Sequence, residues 1–190
     1  MADAEPSQPL HFWQLHSLIG RKPILSILTN FYNRVYDDDD EDYAWFKKAF
    51  TDLASREHHI VVQEAFWIDS FGGGRLYPGG MDRLKYHHTS YAEDVMHARG
   101  AERWMYHMRQ ALKDHESELN AVDVRVFPCI VDFLKTKMMS YAENHGWTYD
   151  DRDFDFAQDQ EKERTPLDKD SSINFDPIDE IGKPQEVERF

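Results

Sequence analysis

Apolar residues in this chain recur every three or four positions, and nowhere do they alternate as in a half-buried strand. The clearest run covers positions 24–35, where Ile24, Ile27, Leu28, Phe31 and Val35 share one face of a helix. Similar spacing predicts helices near 11–19, 43–50, 57–71, 101–114 and 124–143. The pattern therefore predicts an all-α domain of five or six helices.

The carboxyl end of the chain is strongly acidic. The chain has 190 residues and a net charge of −14, and residues 150–190 hold fourteen acidic and six basic side chains. A charged stretch with few apolar residues is typical of disorder. We therefore expect a flexible N-terminus at 1–10, a globular domain at 11–146, and an acidic, largely disordered tail at 147–190.

Composition excludes several classes of protein. The negative charge argues against nucleic acid or an anionic membrane as partner. No apolar run reaches the roughly 18 residues of a membrane span, and the first residues lack a secretory signal pattern. The single cysteine, Cys129, excludes an internal disulfide, a cysteine zinc finger and a cysteine-held iron–sulfur cluster. These features predict a cytoplasmic protein without a membrane partner.

Six consecutive acidic residues stand at positions 37–42. Adjacent carboxylates repel one another and are well hydrated, so we expect a solvated loop. A calcium site is the alternative, but the alternating spacing and the glycine of a calcium-binding loop are missing.

A glycine run, Gly72 to Gly74, is followed by a second glycine pair and by His87 and His88. Glycines permit sharp turns and close approaches of the backbone. In a small helical domain, a histidine beside an apolar pocket is either a structural residue or an axial ligand of a porphyrin. Composition alone favours the structural role, and the residues by themselves leave both interpretations open.

Four segments stand in a characteristic order: LTNFYNRVYDD at 28–38, FGGGRLY at 71–77, GMDRLKYHH at 80–88 and AERWMYHMRQALKD at 101–114. Together they resemble the truncated, two-over-two haemoglobins, and group II of that family most closely. The resemblance covers about 12–145. It implies a truncated globin fold, a two-over-two helical sandwich that here carries an acidic C-terminal extension, and haem b as the cofactor.

The resemblance implies that His88 is the proximal ligand of the haem iron. Segment 80–88 matches the family pattern G-H-P-x-L-x-x-R-H without a gap, and His88 stands at its last position. His87 replaces the arginine that can meet a haem propionate, and it is also the alternative ligand. Met81 and Asp82 stand where the family has His-Pro, and Gly74 stands where it has proline.

On the distal side, the resemblance places four polar residues near the bound gas. Tyr32 belongs to the family's phenylalanine–tyrosine pair, and Trp104 matches a group II tryptophan. Counting back from the glycine run puts Gln63 opposite the iron and His59 at the entrance of the pocket. Three of these side chains have a plain alternative, as a core residue for Tyr32 and Trp104 and as a surface residue for His59.

Aromatic residues are expected to form the walls of the haem pocket. We expect Phe50 to pack flat on the porphyrin, with Phe46 as the alternative. Tyr77 and Phe66 are further candidates for contact with the cofactor.

The resemblance thus implies a globin that binds dioxygen, nitric oxide or carbon monoxide. Three distal donors favour slow release of oxygen, which suits redox chemistry on oxygen or nitric oxide better than transport. Nitric oxide dioxygenase or peroxidase-like activity would need an external reductase. Two alternatives remain: a gas or haem sensor that signals through the acidic tail, and a globin-like protein that has lost haem or holds another metal through His87 and His88.

Overall fold

The protein is described by a computed structural model that covers residues 8–150, apart from the side chain of Met81. Within that range the chain forms seven α-helices: α1 (Leu15–Ile19), α2 (Arg21–Tyr36), α3 (Ala44–Leu53), α4 (Arg56–Ser70), α5 (Gly80–Ser90), α6 (Ala98–Val122) and α7 (Val126–His145). Three short 3-10 helices at Phe12–Gln14, Glu41–Tyr43 and Glu93–Val95 complete it. The described residues contain no strand, as the sequence predicts.

Helix α2 is the centre of the molecule. It packs against both α4 and α6, and α6 packs against α7, so four long helices make up the two-over-two sandwich. Pro23 lies in the first turn of α2, where a missing N–H group does no harm. The residues predicted to share the apolar face of α2 are all buried, and Tyr32 beside Phe31 is buried as well. The all-α truncated globin architecture expected from the sequence is therefore confirmed.

Helix α4 is buried over more than half of its length. Ser55 begins it, because the Ser55 hydroxyl accepts a hydrogen bond from the His58 N–H at 3.2 Å. Its buried residues include the carboxylate of Glu64, which the Arg21 side chain of α2 binds through Nε at 2.8 Å. A buried charge needs such a partner. This ion pair ties the start of α2 to the middle of α4.

Helix α6 extends eight residues beyond the C-terminal end predicted from sequence, which was 114. Residues 115–118 are all polar, so the apolar spacing that predicts the helix stops at Asp114 in the sequence. His115 is nevertheless buried, with Nδ1 2.7 Å from the Ala111 carbonyl and Nε2 2.8 Å from the Ser26 hydroxyl. Leu119 is fully buried one turn later. A histidine that is satisfied inside the protein therefore occupies a core position that looks polar in the sequence.

The six-residue acidic run is not simply a solvated loop, and the prediction is wrong at Asp38. Only 4% of Asp38 is exposed. Its carboxylate lies between Arg103 and His107 of α6, at 2.6 Å from Arg103 Nη2 and 2.8 Å from His107 Nε2. Asp37, Asp39, Glu41 and Asp42 are exposed, as expected. Repulsion between adjacent carboxylates favours their exposure to solvent. At Asp38, hydrogen bonds from Arg103 and His107 of α6 outweigh this repulsion.

Both ends of the described range contact the helical body. Arg125 donates to the Gln8 carbonyl at 2.9 Å, and Leu10 packs against the core. After α7, Trp147 and Tyr149 also pack against the core. The predicted acidic tail lies outside the described residues from 151 onward. No helix in the described part of the chain has the length and apolarity needed to cross a membrane.

The glycine run holds the N-terminal segment against the end of α4. Gly72 has φ +85°, and a Cβ there would lie 2.0 Å from the Trp13 carbonyl oxygen. A Cβ at Gly73 would come within 2.6 Å of His16 and Ile68. The His16 N–H donates to the Phe71 carbonyl at 3.0 Å, which fixes this contact. The glycines are thus required by a close backbone approach as well as by the turn.

Replacement of Gly72 by alanine should destabilise the fold by roughly 2–4 kcal/mol, because it adds a backbone clash to the strain of a positive φ. Gly146→Ala is the matched control. Its φ is +72° and no atom lies within 4 Å of the added Cβ, so its cost should be only about 1 kcal/mol. Urea unfolding of both variants would measure the difference. Equal losses would show that the Trp13 contact contributes nothing.

Candidate functional site

Two adjacent aromatic residues of α2 bring the predicted distal residues together. The Phe31 ring lies 4.8 Å from Tyr32 in an edge-to-face contact and 4.9 Å from the Trp104 ring of α6. Phe31 is fully buried, whereas Trp104 is only partly buried. Tyr32 and Trp104 therefore flank one core phenylalanine, which fixes their relative position.

His59 of α4 lies on the other side of Tyr32. The two rings stack with centroids 5.4 Å apart and an interplanar angle of 15°. The Nε2 atom of His59 is 3.1 Å from the Phe50 carbonyl oxygen, which can only accept a hydrogen bond. His59 therefore carries its proton on Nε2. The residue is buried rather than on the surface, with 8% of its area exposed.

Burial controls the charge of these two side chains. Loss of solvation is the main reason that the pKa of His59 falls to about 4, although its bond to Phe50 opposes this change. Burial also raises the pKa of the Tyr32 phenol far above its usual value. At neutral pH, His59 is uncharged and Tyr32 keeps its proton. Tyr32 can therefore act as a hydrogen-bond donor.

Three of the predicted distal residues have donor groups without a protein partner. Within the described part of the chain, no hydrogen bond is made by the hydroxyl of Tyr32, the indole N–H of Trp104 or the side-chain amide of Gln63. Gln63 is half-buried on α4, one turn after His59. Trp104 and Gln63 are half-exposed, so water can satisfy their donors. The buried indole N–H groups without a hydrogen bond in the described residues belong to Trp45, Trp67 and Trp147 instead. The three distal donors are therefore open to water or to a polar ligand.

Helix α5 carries both candidate iron ligands, and both are half-buried. The His88 ring meets the Tyr141 ring of α7 edge-to-face at 4.8 Å. Leu84, one turn earlier on the same face as His88, is buried. His87 lies 6.3 Å from Tyr91, ring to ring. The contact with Tyr141, which is partly buried against the core, holds the His88 imidazole against the body of the protein.

Both histidines of α5 are neutral at physiological pH. Burial, followed by the neighbouring His87, lowers the pKa of His88 to about 4. Burial, followed by the positive charge of Arg83, also lowers the pKa of His87. His58 also lowers the pKa of His87, so the end of α5 lies within electrostatic range of the start of α4. Neutral imidazole is the form that binds iron.

Phe50 and Phe46 lie in different surroundings. Phe50 is partly buried and faces Tyr32 at 6.3 Å and His59 at 5.5 Å. Phe46 is fully buried, 5.0 Å from Phe50, and stacks near His107 at 6.1 Å. Phe50 therefore borders the distal residues, and Phe46 lies behind it.

Tyr77 and Phe66 form a separate group nearer to α7. Their rings meet edge-to-face at 5.8 Å, and both residues are buried. The Asp69 carboxylate accepts hydrogen bonds from the backbone N–H groups of Leu76 and Tyr77, which fixes the turn after the glycine run. Lys137 of α7 lies 5.4 Å from the centre of the Phe66 ring. Tyr77 is also close enough to Tyr141 to affect its pKa, so this group adjoins the side of His88.

Sequence reasoning missed Tyr141 and the group formed by Asp38, Arg103 and His107. Tyr141 follows Leu134 and Met138 at helical spacing, so its packing against the core beside His88 could have been inferred from periodicity. The pairing of Asp38 with Arg103 and His107 had a weaker signal, the i, i+4 spacing of two donors on α6. Nothing in the sequence indicated that Arg103 and His107 would bind Asp38 rather than another residue of the acidic run.

The arrangement fits a haem. A half-buried neutral imidazole on α5, aromatic rings on α2, α3, α4 and α7, and three donors without protein partners are the groups that a porphyrin and a small axial ligand need. In the described residues, no cluster of histidine, cysteine and carboxylate side chains is suited to hold a bare metal ion.

The protein without haem should lose stability as the pH falls from about 6.5 to 4. The pKa of His59 is lower in the folded than in the unfolded chain, so the unfolded chain binds the proton first. The stability is complete above the unfolded pKa and declines below it, by roughly 2–3 kcal/mol for His59. The pKa values of His87, His88 and His107 are shifted in the same direction and add to the decline.

Urea unfolding at pH 7.5, 5.5 and 4.5 would test this dependence. His59→Gln should flatten the curve in this window, and replacement of the exposed His11 by glutamine should leave it unchanged. An identical slope for His59→Gln and the unmodified chain would contradict the burial of a neutral imidazole.

Comparison with known proteins agrees with the geometry. Residues 14–140 match the family of bacterial-like globins. The chain is 36% identical over 102 residues, 53% of its length, to two-on-two hemoglobin-3 of Arabidopsis thaliana. It is 36% identical over 110 residues, 56% of its length, to group 2 truncated hemoglobin 3-1 of Lotus japonicus. The matches span 54% and 60% of these relatives' own lengths. The chain belongs to the bacterial-like globin family, whose members bind haem, and within it to the truncated globins of group II.

Proposed function

We propose that this globin holds haem b through the imidazole of His88 and binds a diatomic gas on the side of Tyr32, Trp104, Gln63 and His59. When bound, haem would supply an iron to which dioxygen, nitric oxide or carbon monoxide can bind. The observation that carries the proposal is that packing around Phe31 brings the donors of Tyr32 and Trp104 together, with His59 stacked on Tyr32. Such donors lie ready for a ligand that gains negative charge on binding.

Tyr32 is the strongest of these donors. Burial raises the pKa of its phenol far above the usual value, so the phenol keeps its proton at physiological pH. The stack on His59 and the contact with Phe31 limit rotation of its ring. A donor that is already in place loses little entropy when it forms a hydrogen bond. Tyr32 should therefore slow the release of dioxygen.

Slow release favours redox chemistry over transport. The conversion of nitric oxide and dioxygen to nitrate takes up one electron, so each turnover needs a donor outside this chain. An external reductase is the partner that this reaction requires. Trp104 and Gln63 would help to hold the gas, and the wall formed by Phe50 and the buried aromatic rings would exclude water.

Removal of the proposed iron ligand should strongly weaken haem binding. His88→Ala is expected to weaken haem binding by more than the roughly 10–100-fold that the loss of a supporting residue costs. His87→Ala is the matched control, since His87 is the neighbouring half-buried histidine of the same helix. Titration of each protein with haem, followed by the Soret band, would compare them. A normal band in His88→Ala and a lost band in His87→Ala would assign the iron to His87.

Removal of the Tyr32 hydroxyl should speed the release of dioxygen by about tenfold, the effect of losing one hydrogen bond to a partly charged ligand. Tyr36→Phe is the matched control. Tyr36 lies one turn later on α2, and its hydroxyl already donates to the Ala54 carbonyl at 2.7 Å. Stopped-flow measurement of oxygen dissociation would separate the two variants. An unchanged rate in Tyr32→Phe would remove Tyr32 from the distal site.

A further inference from the structure

The Asp38 carboxylate is held by three hydrogen bonds from α6. Arg103 binds it with two parallel bonds, Nε to Oδ2 at 2.7 Å and Nη2 to Oδ1 at 2.6 Å. His107, one turn further along α6, has Nε2 at 2.8 Å from Oδ2. All three residues are buried, with exposures of 4%, 8% and 1% respectively. Paired bonds between arginine and a carboxylate fix direction as well as distance.

The surroundings of this pair keep Asp38 charged. Burial alone would raise the pKa of Asp38, but the hydrogen bonds from His107 and Arg103 outweigh it and hold the pKa well below its usual range. Burial lowers the pKa of His107 more than Asp38 raises it, so His107 donates as a neutral imidazole. The Tyr43 ring covers the Arg103 guanidinium at 4.1 Å. Arg103 Nη2 also lies 3.2 Å from the carboxylate of half-buried Asp40, so the cluster is one guanidinium between two carboxylates, of which Asp38 is shielded from water.

Two contacts connect this cluster with the distal residues. Arg103 immediately precedes Trp104 on α6, so the bonds that fix Arg103 also fix the rotation of the helix that presents Trp104. The His107 ring lies over Phe46 at 6.1 Å, and Phe46 contacts Phe50 at 5.0 Å. The Phe50 carbonyl oxygen in turn accepts the Nε2 proton of His59.

We propose that Asp38 is a positioning residue for the distal site, which sets Trp104 through Arg103 and sets His59 through His107, Phe46 and Phe50. The proposal rests on the proposed function of those two residues in ligand binding. Asp38 itself does not touch the ligand. It joins the segment that leads into α3 to α6, and α3 carries Phe50 while α6 carries Trp104.

The substitution Asp38→Asn would disrupt this arrangement with almost no change of shape. An amide has one acceptor oxygen and one NH2 group, whereas Arg103 and His107 present only donors to Asp38. Either orientation of the new amide would direct an NH2 group at an N–H group. Arg103 or His107 must then move, and the movement passes to Trp104 or Phe46.

Asp38→Asn is the test, and Asp114→Asn is the matched control. Asp114 also lies on α6 and also binds an arginine of another element, Arg34 Nη2 at 2.7 Å. It stands ten residues after Trp104, roughly 15 Å along the helix axis. Both variants remove a carboxylate that takes part in an ion pair between α6 and another segment, but neither Asp114 nor its partner Arg34 adjoins Trp104 or His59 in the sequence.

The first measurement uses the full chain without haem. Nitrogen-15 NMR should show shifted signals for the Trp104 indole N–H and the His59 Nε2–H in Asp38→Asn, and unshifted signals in Asp114→Asn. The second uses the haem-loaded protein with carbon monoxide. The C–O stretching band of Asp38→Asn should move toward that of Trp104→Phe, and the oxygen dissociation rate should rise roughly fivefold.

Unshifted Trp104 and His59 signals in Asp38→Asn, with only a loss of stability, would overturn the proposal. If Asp38→Asn does not fold, His107→Gln tests the path through His107 alone, because the glutamine amide keeps a donor for Asp38 but lacks the ring that contacts Phe46. The His59 signal should then shift and the Trp104 signal should not, and an unshifted His59 signal would overturn this path. Lack of haem binding by the unmodified chain would refute the proposed function. The NMR measurement without haem would still decide whether Asp38 positions Trp104 and His59.

Discussion

The packing of α2 against both α4 and α6 is the contact on which the rest of the structure depends. It places Phe31 and Tyr32 at the junction of three helices, and adjacent residues on one helix point about 100° apart. Phe31 therefore packs into the core beside Trp104, while Tyr32 meets His59. One pair of neighbours in sequence thus connects the apolar core with the polar distal site.

Two buried ion pairs in the described part of the chain join separate elements. Glu64 of α4 binds Arg21 of α2, and Asp38 in the acidic run binds Arg103 and His107 of α6. Burying a charge costs free energy that its partner only partly returns, so such pairs add little to stability. They do add geometric specificity here, because removal of one partner leaves an unsatisfied charge inside the protein. The first pair connects α2 with α4, which carry Tyr32 and His59, and the second connects the acidic run with α6, which carries Trp104.

The helical class and most helix positions could be predicted from the sequence, because apolar spacing is a local property. The end of α6 could not be predicted, since His115 is a polar residue and is buried only because two hydrogen bonds satisfy its ring nitrogens. The family pattern led to His88, Tyr32 and Trp104, and the structure puts Tyr32 and Trp104 around one phenylalanine. The roles of these residues remain predictions. Burial of Asp38 could not be predicted, because it depends on donors 65 and 69 residues away.

The account rests on one claim, that haem lies between His88 and the distal donors. Absorption spectra of the purified chain with added haem, in its ferric, ferrous and carbon monoxide forms, test it most directly. We predict a Soret band in all three forms, with a clear shift when carbon monoxide binds the ferrous protein. Absence of a Soret band after haem addition, or a ferrous spectrum that carbon monoxide does not change, would contradict the claim.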